Sequence, residues 1–215
     1  VKLVVFDLDG TLVDSRTAIA ASLNSALREL GRPPVSAARG IALIGLPLVE
    51  IFPRLVTDPL EATELVALVA AYKANYGAHA ALHERVYVGI SALLQALAED
   101  GRILAIATSK STAGAEQATR RHGLDTHMRY RLGVDAVARP KPAPDMVLEI
   151  MSQAGLAPAQ TVVVGDTSFD MHMGRAAGTR TIGVTWGSHP RDELAPLADV
   201  VVDEVAELAA ALGVA

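Results

Sequence analysis

The sequence predicts an α/β fold: a parallel sheet covered by helices on both faces, with an all-helical insertion near its start. Three observations carry this. Short continuous apolar runs recur along the chain, as in strands buried on both faces. Helical patterns separate these runs, which argues for crossovers and parallel pairing. One stretch, from about residue 16 to residue 83, holds helical patterns alone.

The strand runs come first at 3–6 (LVVF), then at 103–107 (ILAIA), 161–164 (TVVV), 181–184 (TIGV) and 200–202 (VVV). Between them, residues 90–99 place Ile90, Leu93, Leu94 and Leu97 on one helical face, and residues 142–154 give a second amphipathic helix. Inside the insertion, 17–30 reads as a helix closed by Gly31 and Pro33. A second begins at Pro47, a common first-turn residue, and spans 47–56; a third spans 60–76. The insertion is expected to occupy residues 16–83, and the α/β core residues 1–15 and 84–215.

Composition narrows the function classes. Half of the 215 residues are hydrophobic (51%) and 20% are charged, the balance of a globular chain. Net charge is −5 with no basic block, which disfavours nucleic-acid binding by charge. The chain has no cysteine, which excludes disulfides, thiolate catalysis and cysteine zinc sites. No apolar run reaches the ~18 residues that suggest a membrane span. The expected setting is cytoplasmic, with a small molecule as partner and neither nucleic acid nor membrane.

Ligands of open parallel sheets bind outside the carboxyl ends of the strands. After 3–6 come Asp7, Leu8, Asp9, Gly10 and Thr11; after 103–107 come Thr108, Ser109 and Lys110; after 161–164 come Gly165, Asp166 and, four residues on, Asp170. Lys141 lies between two prolines in "ARPKPAPDM". Alternation along the strand end sends the side chains of Asp7 and Asp9 to one side. Two acids at a strand end repel unless something positive sits between them. Several acids with few basic partners suit magnesium, which takes one or two carboxylates, waters and a substrate phosphate. Gly10 lets the backbone turn sharply and approach a phosphate. Thr108 can hydrogen-bond a phosphate oxygen, and amides after each strand can form an anion nest.

The segments "FDLDGTLVDS", "ATSK", "RPKPAPD" and "VVGDTSFDM" resemble, in order and across the whole chain, the four motifs of the haloacid dehalogenase-like hydrolase superfamily. The helical insertion is similar to the C1 cap of its phosphoglycolate phosphatase and β-phosphoglucomutase branch. The resemblance implies a Rossmann-like core and a mobile helical lid. It also implies a magnesium-dependent phosphatase acting on a small phosphomonoester through an aspartyl phosphate. In that scheme Asp7 is the nucleophile, and Asp9 is the acid that protonates the leaving oxygen and then the base that activates water. Thr108 and the Ser109 amide hold phosphoryl oxygens, and Lys141 neutralises charge and fixes Asp7. Asp7, Asp166 and the Asp9 carbonyl bind Mg2+, with Asp170 in support.

Asp9 argues against the dehalogenases, which lack the second aspartate, and Gly165-Asp166 against mutases, which more often carry Glu-Asp there. Lys110 in "TSK" resembles phosphoglycolate phosphatases. The alternatives are a phosphatase of a sugar phosphate or of a phosphorylated natural-product intermediate, a phosphomutase, and a non-catalytic binding protein on the same fold. Leaving-group contacts are expected from the insertion, at Arg39, Gly45, Arg54, Lys73 and Tyr76. His79 and His83 have ligand-like i, i+4 spacing without a third ligand and are read as surface residues; His172 is expected near the site without acting in it. The loop Trp186–His189 is expected to border the cleft.

Overall fold

In a computed structural model, residues 1–214 are described. Six parallel strands form the main sheet: β1 (Leu3–Phe6), β4 (Ile103–Ala107), β5 (Met128–Leu132), β6 (Thr161–Gly165), β7 (Arg180–Val184) and β8 (Val200–Val202), in the order β5-β4-β1-β6-β7-β8. β1 is central, with Phe6 level with Ile106 on one side and Val164 on the other.

Strand periodicity divides β1 between two cores. Val4 and Phe6 face one cluster, which holds Ile90, Leu93, Leu94 and Leu97 of α5 (Ile90–Glu99) and Leu208 and Leu212 of α10 (Val205–Leu212). Leu3 and Val5 face the other, with Met146, Val147, Ile150 and Met151 of α7 (Asp145–Ala154) and Met173 of α8 (Ser168–Ala176). The sheet is thus covered on both faces, which explains why its central strands read as unbroken apolar runs. Among the described residues, no helix is long and apolar enough to cross a membrane.

The insertion contains four helices: α1 (Arg16–Glu29), α2 (Ala37–Ile41), α3 (Leu48–Leu55) and α4 (Ala62–His83). They enclose a separate apolar cluster around Leu23, Leu27, Phe52, Leu55, Leu68 and Tyr72. Three expectations are corrected here. α2 was not foreseen: it is five residues long, capped by the Ser36 hydroxyl, and has only Gly40 buried, so its apolar pattern is weak. α4 runs seven residues past the expected end at Tyr76, through Gly77, because nothing there breaks the backbone ladder before Glu84. α7 starts at Asp145 and not at 142, because three prolines alternate through residues 140–144.

The two chain passages joining insertion and core pair with each other. β2 (Val13–Asp14) and β3 (Arg85–Val86) form a short antiparallel ribbon, with Val13 opposite Val86 and Asp14 opposite Arg85. Arg16 adds a bidentate hydrogen bond to Asp14 at the foot of α1.

Candidate active site

The carboxyl ends of β1, β4 and β6 bring the predicted polar groups together. The Asp7 amide donates to the Val164 carbonyl, continuing the sheet ladder one residue past β1. A carboxylate is thereby placed at the sheet edge and buried there, with only 3% of its surface exposed. Asp166 and Asp170 are buried beside it, and one oxygen from each of the three lies within 4.8 Å of the others. Gly10, at φ +84°, packs against this group so closely that a Cβ would sit 2.1 Å from Asp166 Oδ2. Here glycine is required both by the turn and by the contact.

Lys141 enters the trio fully buried. Its Nζ donates to Asp170 Oδ1 at 2.6 Å and lies 2.7 Å from Asp7 Oδ1. The contact with Asp7 is an ion pair, and Oδ1 of Asp7 meets no other donor. The other two carboxylates are occupied. Asp166 accepts from the Thr11 hydroxyl and the Ser188 amide, each at 2.8 Å. Asp170 accepts at its second oxygen from the Thr167 hydroxyl at 2.7 Å and the Thr167 amide at 3.1 Å, in the capping box of α8.

The electrostatics follow from three acids around one base. Burial pushes the Asp7 carboxyl well above the usual carboxylate value; Lys141 pulls it down, while Asp170 and Asp166 push it up. Burial and the Asp170 charge push Asp166 up to about 7, against the hydrogen bonds from Thr11 and Ser188. Burial acts against the Lys141 ammonium too, but Asp170 and Asp7 outweigh it and raise its pKa. One lysine leaves this pocket with excess negative charge, which a small hard cation relieves. Three buried carboxylates, with oxygens within 4.8 Å of one another and a single lysine among them, fit a magnesium ion. Asp170 was expected in support; its carboxylate stands among the trio, but its oxygens already serve Lys141 and Thr167.

The Asp9 side chain has partners of its own outside the trio. Its Oδ1 accepts from Ser15 Oγ at 2.6 Å, and its Oδ2 pairs with Lys110 Nζ at 3.0 Å. Lys110 is a site residue that the sequence marked only by resemblance. Its ammonium also donates to the Tyr76 hydroxyl at 2.8 Å, and that hydroxyl donates in turn to the buried Glu84 carboxylate. Glu84 is held by Arg121 at 2.6 Å and by His122 Nε2 at 2.9 Å. A polar chain therefore runs from Asp9 through Lys110 and Tyr76 to the foot of the insertion.

Thr108 is buried directly after β4. The Ser109 hydroxyl donates to the Gly45 carbonyl, so its side chain ties the core to the insertion and leaves its amide for other partners. Gly45 has φ +103°, and a Cβ there would meet Phe169 and Thr167 at 3.0–3.1 Å. Lys73 and Tyr76 line the cavity between insertion and core; Arg39 and Arg54 do not. Arg39 donates to the Arg54 carbonyl and Arg54 pairs with Glu50, all on an exposed surface. His79 bonds Ser25, and His172 is exposed. The Trp186–His189 loop does border the acids, through the Ser188 amide.

The family model of the haloacid dehalogenase-like hydrolases matches residues 4–184, taking in all four polar segments. The chain belongs to this family. This haloacid dehalogenase-like hydrolase is 40% identical to the probable phosphatase IndB of Dickeya dadantii over 97% of its own length and 92% of the relative's. It is 34% identical to N-acetylmuramic acid 6-phosphate phosphatase of Pseudomonas aeruginosa, over 96% and 92% of the two chains. The crystal structure of a predicted phosphoglycolate phosphatase from Haemophilus somnus superposes with a TM-score of 0.91 at 28% identity, covering 98% of this chain and 97% of that one.

Proposed function

We propose that this haloacid dehalogenase-like phosphatase hydrolyses a phosphomonoester by way of an aspartyl phosphate at Asp7, with magnesium as cofactor. The observation that carries the reading is the buried trio with its lysine: Asp7, at the end of the central strand, has an oxygen within 4.8 Å of oxygens of Asp166 and Asp170 and lies 2.7 Å from Lys141 Nζ. Phosphatase names among its relatives support the reaction class. The helices of residues 16–83 act as a cap over the site.

The chemistry divides into two displacements. A carboxylate oxygen of Asp7 attacks phosphorus, the ester P–O bond breaks, and the leaving oxygen takes a proton from Asp9. Asp9 then removes a proton from water as that water attacks the aspartyl phosphate, which releases phosphate and restores both aspartates. Asp7, Asp166 and the Asp9 carbonyl would hold magnesium, which would offset charge on the phosphoryl oxygens. Lys141 neutralises charge on Asp7 and aims it, and Asp170 holds Lys141. Ser15 and Lys110 fix the Asp9 carboxylate from two sides. Thr108, the Ser109 amide and the Gly10 turn receive the phosphoryl oxygens, so most of the catalysis is positioning and charge neutralisation.

The test is phosphate release from p-nitrophenyl phosphate. Activity should require magnesium, be lost on chelation and be poorly restored by calcium, whose looser geometry aims Asp7 badly. Full activity after exhaustive chelation would contradict the metal assignment.

A further inference from the structure

The cavity between insertion and core has a volume of about 680 Å3 and reaches Asp9, Ser109 and Lys110 at its floor. That size suits a drug-sized ligand, well beyond a two-carbon acid. Its insertion side is mainly apolar: Ile44 precedes the Gly45 turn, Leu46, Leu48, Val49 and Ile51 follow it, and Tyr72 closes the wall. Tyr72 stacks on Tyr76, with ring centroids 5.4 Å apart, and the Lys110 ammonium lies 4.2 Å from the centroid of the Tyr76 ring, so the edges of the two tyrosines border the polar floor.

Most cations that line the cavity are paired. Lys110 is taken by Asp9 and Tyr76, Arg121 by Glu84, and Arg120 by Glu116. Lys73 alone among the cavity's described cations makes no ion pair, and it stands exposed at the rim. An exposed cation attracts a carboxylate only weakly. Setting a carboxylate among Ile44, Leu46 and Ile51 without a cation is costly. The arrangement penalises a charged leaving group and rewards a bulky apolar one.

We propose that the substrate is a phosphomonoester of an uncharged, mainly apolar alcohol of ring size or larger, and not of a small hydroxy acid. This rests on the phosphatase reading above. The phosphate is bound by the core, and the alcohol lies along the apolar wall against the Tyr72–Tyr76 pair.

Two primary alkyl esters separate the possibilities: 2-phenylethyl phosphate and phosphoglycolate, each assayed with magnesium. The expected result is a kcat/KM at least about tenfold higher for the phenylethyl ester, the scale of discrimination an apolar pocket provides. Val49 is 54% exposed, so Val49→Lys adds a cation to the wall without disturbing a core. That variant should narrow the ratio severalfold by gaining on phosphoglycolate and losing on the phenylethyl ester. Phosphoglycolate turned over as well as the phenylethyl ester, or a ratio that Val49→Lys does not move, overturns the proposal. Failure to hydrolyse any ester, p-nitrophenyl phosphate included, defeats the phosphatase reading instead. Calorimetry with the non-hydrolysable 3-phenylpropylphosphonate and 3-phosphonopropionate then still reads the cavity. Tighter binding of the phenyl compound upholds the assignment of the wall, and equal or weaker binding rejects it.

Discussion

The sheet edge and the helical insertion solve opposite problems. At the sheet edge, charges are buried together: Asp7 and Asp170 contact Lys141, Asp166 lies beside them, and both oxygens of Asp166 and of Asp170 have donors. On the insertion side, the charged residues Arg39, Arg54 and Glu50 stay on the outer surface, and apolar side chains face the cavity. The comparison teaches where each part of an ester is read. The phosphoryl group is common to every substrate and meets a rigid, ionic edge. The alcohol varies and meets a wall built from residues that a few substitutions can reshape. The three phosphatase relatives and neighbours named above, with their different names, fit such a division.

The sharpest break in the comparison comes at Asp7. Asp7→Asn should keep the fold, by far-UV circular dichroism, and lower turnover of every ester at least about 10^4-fold, roughly 5 kcal/mol of barrier. An amide in that place neither attacks phosphorus nor binds the metal well. Substantial residual turnover in a clean preparation would remove Asp7 from the nucleophile's role.

Next in size is Lys141→Ala. It should depress kcat/KM on all esters together, by about 10^2-fold to 10^3-fold, because every transition state shares the phosphoryl charge.

The polar chain at the foot of the insertion predicts a change in stability. Glu84→Gln removes one partner of a buried charge cluster and should cost about 3–5 kcal/mol, read by urea denaturation. Burial raises the Glu84 pKa, but Tyr76, Lys110, His122 and Arg121 outweigh it and hold the carboxyl below the ordinary glutamate value of 4.5. Its contribution is therefore present above that value and fades as pH falls below it toward the folded-state pKa. The variant should show a flatter loss of stability with acid over that range.

The smallest effects belong to the outer face of the insertion. Arg39→Ala and Arg54→Ala should each change stability by less than about 0.5 kcal/mol and kcat/KM by less than about twofold, since both side chains are exposed. A larger shift in substrate ranking from either would return them to the binding wall.

The two regions were unequally legible in the sequence. The central strands were readable because burial on both faces leaves an unbroken apolar run, as in Leu3–Phe6 and Thr161–Gly165. β5 escaped notice because it is an edge strand reading MRYRL, with two arginines and only its end residues buried. β2 and β3 are two residues each, too short for any period to show. The trio and Lys141 stood out because each follows a strand or a proline-marked loop. The pairing of Asp9 with Lys110, and of Lys110 with Tyr76, did not, although both residues were singled out on other grounds. Lys110, Tyr76 and Glu84 meet only once the insertion folds against the core, and contacts 34 residues apart leave no local spacing. Glu84 carried no signal beyond its place at the expected junction of insertion and core. Arg39 and Arg54 were attractive as cations in the right segment, but a residue's type does not say which face of the bundle it takes.

A kcat/KM profile over about ten phosphate esters, graded from small acids to bulky apolar alcohols, tests the division most directly. It is measured for the unsubstituted enzyme, Lys141→Ala and Val49→Lys. The account predicts that Lys141→Ala lowers the whole profile and keeps its order, while Val49→Lys reorders it and leaves p-nitrophenyl phosphate within about tenfold, or 1.4 kcal/mol. A profile reordered by Lys141→Ala and lowered uniformly by Val49→Lys would contradict it.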